Sequence, residues 1–196
     1  MDLPPAHPHS ARSQGVEVHP VIAGRWSARS LDPAAEVTRA ELLAVIEAAR
    51  VAASWGGTFP VRFLAGLRGD TTHAALAALL TRGNLRWAPA AGALVLCAVA
   101  TSNAKGDLPY AMFDAGLATA QLSLQAVAQG LIAHPMSGFD RAGARQAFDI
   151  PDSVEPVVLI ALGHLAAERT NERDLEPRRR PALREVLFGE AWGQEF

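Results

Sequence analysis

Apolar and polar positions along the chain fall into two rhythms, and their order predicts the elements. After Thr38-Arg39-Ala40-Glu41, with the Thr and Glu spacing of a capping box, Leu42, Leu43, Ile46 and Ala49 recur at helical spacing and predict a helix over about 39–52. Val61 to Leu67 is a short apolar run bounded by Pro60 and Gly69, as a strand would be. Thr71 to Arg82 is rich in Ala and Leu and predicts a helix ending at Gly83. Ala93 to Ala100 is apolar without interruption, the pattern of a strand buried on both faces. The longest helical pattern runs from Asp107 to Gly130, with Pro109 near its start and Gly130 at its stop. Asp140 caps a short helix to Phe148, Pro151 breaks it, and Val157 to Leu162 reads as another central strand. Strands alternating with helices, without an internal repeat, predict a sheet covered by helices, in the α+β or α/β class.

The ends of the chain follow neither rhythm. Residues 1–20 are rich in Pro, His and Ser and read as a flexible tail, leaving 21–196 as one domain. Beyond Gly163 the chain passes through a charged loop, 168–174, then Arg178-Arg179-Arg180-Pro181, and finishes on the apolar anchors Val186-Leu187-Phe188 and Trp192. That last stretch is too short for a core of its own, so it must dock on its own domain or on a second subunit.

Composition narrows the classes. The chain has 196 residues, 49% of them hydrophobic, enough for one substantial domain and too many for a disordered scaffold. Its formal net charge of −2 provides no field for non-specific binding of nucleic acid or anionic membranes, so any anion must be bound locally. The long helix carries Asp114, Gln121, Gln125 and Gln129 on one stripe, too polar a pattern for a bilayer span. The N-terminus lacks the basic and apolar regions of a secretory signal, and the lone Cys97 lies in an apolar run as a buried filler. A cytoplasmic, reducing location is expected. His7, His9 and His19 have no Cys or acidic partner at ligand spacing, so no metal site is predicted.

The first candidate cluster for chemistry is Arg25-Trp26-Ser27-Ala28-Arg29. In an extended segment Arg25, Ser27 and Arg29 share one face, a set of two guanidiniums and a hydroxyl suited to a phosphate. By spacing alone a solvated basic loop is the plainer reading. Arg62 reads as a surface residue, His134 and His164 as structural, Asp114 as a hydrogen-bonding residue of its helix, and Trp55 and Phe59 as either core or pocket lining.

Several dispersed segments, in order from about residue 22 to the end, share a wider pattern. They are Arg25 to Asp32; Ala48-Ala49-Arg50 leading to Ser54 and Pro60-Val61-Arg62-Phe63; Gly83-Asn84; Asp114-Ala115-Gly116; Gln125 to Leu131; His134 to Asp140; Glu155 to Gly163; and Arg180-Pro181 through Glu185 to Trp192-Gly193. Together they resemble the nitroreductase-like FMN-dependent oxidoreductases. The resemblance implies an α+β fold, with a central mixed or antiparallel sheet flanked by helices, a C-terminal extension reaching the partner subunit, and FMN at a homodimer interface.

By the same resemblance, Arg25, Ser27 and Arg29, with Trp26 among them, would meet the flavin's phosphate and pyrimidine side. Ser54 and Asn84 would also contact the cofactor, and Ser137 and Gly138 would present backbone near its ring. One of Arg178, Arg179 and Arg180 would reach the phosphate. The implied activity is hydride transfer from NADH or NADPH to a nitroaromatic, quinone or similar electron-poor compound. Because the flavin carries that chemistry, no catalytic side chain is required. The sequence departs from the family at the loop before Pro60, where the usual Asn and Gln positions hold Gly57 and Phe59. Trp55 and Phe59 would then give the substrate pocket a more apolar face. The alternative expectation is a relative that binds or sequesters flavin without turnover.

Overall fold

The computed structural model describes residues 16–176 and 180–196, except for the side chain of Arg82. In chain order the elements are α1 (Pro20–Gly24), α2 (Arg39–Arg50), β1 (Val61–Leu67), α3 (Thr71–Ala78), β2 (Ala93–Ala100), β3 (Ser102–Asn103), β4 (Gly106–Asp107), α4 (Ala111–Ala128), β5 (Ile132–Met136), α5 (Arg141–Ala147), β6 (Val154–Gly163) and α6 (Leu183–Val186). Of the expected tail, residues 1–15 lie outside the described residues, while Pro20 already opens α1.

The fold is α+β. A four-stranded sheet of order β1-β2-β6-β5 is antiparallel throughout, which decides between the mixed and antiparallel arrangements expected. Strand β2 shows why it is apolar at every position. Ala93, Val95, Cys97 and Val99 join a core with Leu42 and Val45 of α2 and Leu122 of α4. Leu94 and Leu96 join a second core on the other face, with Leu76 of α3, Ile132 and Leu159. Both faces of the sheet are therefore covered, and alternation sends successive side chains into separate cores.

The capping box at the start of α2 is present: Glu41 N–H donates to Thr38 Oγ1 at 3.2 Å, and Thr38 N–H donates to Glu41 at 2.7 Å. Several elements differ from expectation, and three have a plain physical reason. The helix expected over 71–82 stops at Ala78, because Leu80 bridges to Phe139 and the Leu79 carbonyl accepts Asp140 N–H at 2.8 Å. The helix expected from 107 starts at Ala111, since the β3–β4 hairpin occupies 102–107. Strand β5 was not predicted, as Pro135 and His134 interrupt its apolar pattern. Among the described residues it is an edge strand paired only to β6, where a proline costs no central hydrogen bond.

Candidate functional site

The segment that follows α1 is built as the sequence implies. From Arg25 to Ser30 exposure alternates, with Trp26, Ala28 and Ser30 buried and Arg25, Ser27 and Arg29 half-exposed on the other side. Arg25 Nη1 donates to Ser27 Oγ at 3.2 Å, and the Arg169 guanidinium lies over the Trp26 ring.

What holds this segment is a residue the sequence did not single out. Asp174, 0% exposed, accepts Arg29 N–H at 2.9 Å on each oxygen and Ser30 N–H at 2.7 Å. Asn171 N–H adds a bond to Ser30 Oγ at 3.1 Å, and Ala166 N–H one to the Ser30 carbonyl at 2.9 Å. A buried carboxylate is tolerated only when its lone pairs are filled, and here backbone donors fill them. His134, its ring centroid 4.5 Å from that of Trp87 and tilted 40° to it, places Nδ1 2.9 Å from the Ala28 carbonyl.

Across from Arg29, Asn84 and the 137–138 loop meet. Asn84 Nδ2 donates to the Gly138 carbonyl at 3.1 Å, as does Thr81 N–H at 3.2 Å. A Cβ on Gly138 would lie 2.8 Å from Asn84 Nδ2, so with glycine here the Asn84 amide can sit this close. Arg29, Asn84, Ser137 and Gly138 thus line one cleft of about 570 Å³, together with Arg86, Trp87, Glu172 and Arg173. Three arginines against one glutamate make it a cationic hollow. Trp87 lines it as well, with its indole N–H buried and without a hydrogen-bond partner among the described residues.

The other candidates lie elsewhere on the chain. Arg25 borders a hollow of about 470 Å³ beside Gly116, Thr119 and Ser123 of α4. Ser54 and Phe59 line a cavity of about 400 Å³ with Arg50, Arg62 and Asp114. Trp55 faces Tyr110 and Phe113 across a third hollow, of about 450 Å³. Trp55 and Phe59 are both exposed, so neither is a core residue. Ser54 Oγ donates its proton to Asp114 at 2.7 Å and accepts Phe59 N–H at 2.8 Å, so what it has left to offer a ligand is a lone pair. Arg178 and Arg179 lie outside the described residues, and Arg180 is exposed. Asp174 and Arg173 were missed because they sit in a charged stretch whose composition is that of a solvated loop, and Arg86 because nothing around it forms a motif.

A model of the Nitroreductase family matches residues 22–80 and 70–164, a span that holds both the Arg25–Arg29 segment and the Asn84 and Gly138 contact. The chain belongs to the Nitroreductase family. A relative from Mycolicibacterium smegmatis, an uncharacterized 15.4 kDa protein, is 45% identical over 146 residues, covering 68% of this chain and 98% of its own length. A solved oxidoreductase containing FMN superimposes with a TM-score of 0.86 at 27% identity, over 95% of this chain and 98% of that one. A protein of Exiguobacterium sibiricum 255-15, solved in complex with FMN, shares the fold at a TM-score of 0.73 and 20% identity, over 91% of this chain and all of the other.

Proposed function

We propose that this nitroreductase-family protein is an FMN-dependent oxidoreductase that moves hydride from NADH or NADPH to an electron-poor small molecule, and that it works as a homodimer. The observation that carries the reading is the cationic cleft where Arg29, Asn84, Ser137 and Gly138 converge from three separate stretches of chain. The cleft fits the cofactor on its own chemistry. Its volume is within the usual range for small-molecule sites, roughly 300–1,000 Å³. Its guanidiniums suit a phosphate, and Gly138 lets the Asn84 amide close against the 137–138 backbone that lines the cleft.

Bound there, FMN would supply two-electron hydride chemistry. The chain's part is to bind and orient. Asp174 fixes the Arg29 backbone so that its guanidinium stays on the cleft side. A guanidinium near an electron-accepting ring favours the reduced, more anionic form. Asn84 and Thr81 hold the Gly138 carbonyl, which sets the direction of the 137–138 backbone. Exposed apolar groups support the dimer and a C-terminal extension that reaches the partner. Trp192 is 92% and Phe196 90% exposed, and Met112 and Phe113 of α4 are also exposed.

The test is a visible spectrum of purified protein, followed by anaerobic addition of NADH and of NADPH. Flavin bands that bleach with either nucleotide are expected. A protein that takes up no FMN overturns the reading. Flavin bands that neither nucleotide bleaches favour the second reading, a flavin holder without turnover. That second reading draws on Gly57 and Phe59, which offer no polar side chain, and on the committed proton of Ser54.

A further inference from the structure

In the first turn of α4, Asp114 is 1% exposed, and neither of the two ion pairs among the described residues includes it. Burying a carboxylate costs several kcal/mol unless hydrogen bonds replace the lost water. Its bonds all go to one loop. Ser54 Oγ donates to it at 2.7 Å, and Trp55 N–H donates at 3.1 and 3.2 Å to its two oxygens. Ser54 passes the restraint on by accepting Phe59 N–H at 2.8 Å. At the far end Arg62 Nη1 donates to the Phe59 carbonyl at 2.6 Å and the Val61 carbonyl at 2.9 Å.

The loop needs such restraint. Gly56 and Gly57 have φ of 57° and 64°, and Phe59, with a φ of 46°, occupies the left-handed region where an L side chain costs on the order of 1–2 kcal/mol. Two glycines and one strained residue would leave a free loop with many shapes. The bonds from Asp114 select one, and in it the two aromatic side chains stand exposed: Trp55, 5.0 Å from the Tyr110 ring, and Phe59, beside the cavity that Asp114 itself lines.

We propose that Asp114 is a positioning residue: through Ser54 and the Trp55 backbone it shapes the 54–59 loop so that Trp55 and Phe59 present an apolar wall to the acceptor at the two cavities they line, outside the cationic cleft. The wall's role rests on the oxidoreductase reading given above. The clamp itself does not. Asp114 touches no reacting atom, and its effect reaches the acceptor only through the loop.

The test compares full-length wild type with Asp114→Asn and Ser54→Ala. In protein without flavin, amide exchange at Trp55 and Phe59 quickens at least tenfold in Asp114→Asn, while Val95 and Ile160 of the central strands stay within twofold. With FMN loaded, KM for 1,4-benzoquinone, which must seat against the wall, rises at least tenfold. Turnover with ferricyanide and the rate of bleaching by the nucleotide stay within twofold. Ser54→Ala shows a smaller shift in the same direction, and the double variant goes no further than Asp114→Asn. Equal losses with both acceptors would mean general destabilisation and overturn the positioning role. Unchanged exchange at Trp55 and Phe59 in both variants overturns the clamp, whatever the activity. A wild-type chain that neither takes up FMN nor turns over overturns the oxidoreductase reading, and the acceptor wall with it.

Discussion

Replacing Asp174 by Ala removes the group that ties the C-terminal stretch to the Arg25–Arg29 segment. Two backbone donors, the part-buried N–H of Arg29 and the buried N–H of Ser30, lose their acceptor together. Each bond to a charged acceptor contributes about 1.5–3 kcal/mol, and a donor left buried without a partner costs about 1–3 kcal/mol. Water entering the vacated space recovers part of this, so the net loss is about 3–5 kcal/mol, a large fraction of the roughly 5–15 kcal/mol that holds a domain folded. For a chain of this size the melting temperature then falls by roughly 6–20 °C.

Asp174→Asn keeps one acceptor oxygen and loses only part of that, about 1–2 kcal/mol. The assay is urea denaturation of wild type and both variants, paired with a flavin-fluorescence titration. Loss of the tie lets Arg29 leave the cleft, so FMN affinity falls at least tenfold in Asp174→Ala and less in Asp174→Asn. An Asp174→Ala protein within about 1 kcal/mol of wild type would show that water satisfies these donors as well as the carboxylate does. Unchanged FMN affinity in that variant would show that the cleft does not depend on the Arg29 backbone.

Gly66→Ala places a methyl group 2.3 Å from the His73 backbone nitrogen, and because backbone cannot swing aside as a side chain can, a loss of roughly 3 kcal/mol by urea denaturation is expected. Gly138→Ala meets only the movable end of Asn84, so the expected result is weaker FMN binding with a melting temperature within a few degrees of wild type. Burial pushes the His73 pKa below its ordinary 6.5, with nearby Arg68 adding to this and the Ala91 carbonyl and Asp70 opposing it. The unfolded chain therefore binds the proton first. The contribution of His73 is complete above pH 6.5 and is lost as the pH falls through its lowered folded value, so His73→Gln flattens the loss of stability between pH 7.5 and 5.5. Burial pushes the Cys97 thiol up from 9.0 to about 11, so iodoacetamide at pH 8 labels the native protein at least 100-fold more slowly than the chain in guanidinium, as quenched mass spectrometry would show.

The candidate site was legible residue by residue but not as a place. Alternation along Arg25 to Ser30 is a local property, and the exposure pattern follows it. That Arg29, Asn84, Ser137 and Gly138 share a cleft while Ser54 and Phe59 border another cavity depends on how the elements pack. The departure at Gly57 and Phe59 was visible as missing polar groups. Its structural counterpart, a strained loop held by a buried carboxylate, was not.

By itself the sequence determined the features that rest on neighbours a few residues apart: the capped start of α2, the doubly buried strand β2, the extent of β1 and the outward face of the arginine segment. The tertiary structure alone decided the early end of α3, the edge strand with a proline inside it and the tie between Arg29 and Asp174, which are 145 residues apart. The reason is range. Capping and periodicity are fixed by short stretches of backbone, whereas a buried carboxylate finds its donors only once distant segments have been brought together, and nothing in its own neighbourhood announces which they will be.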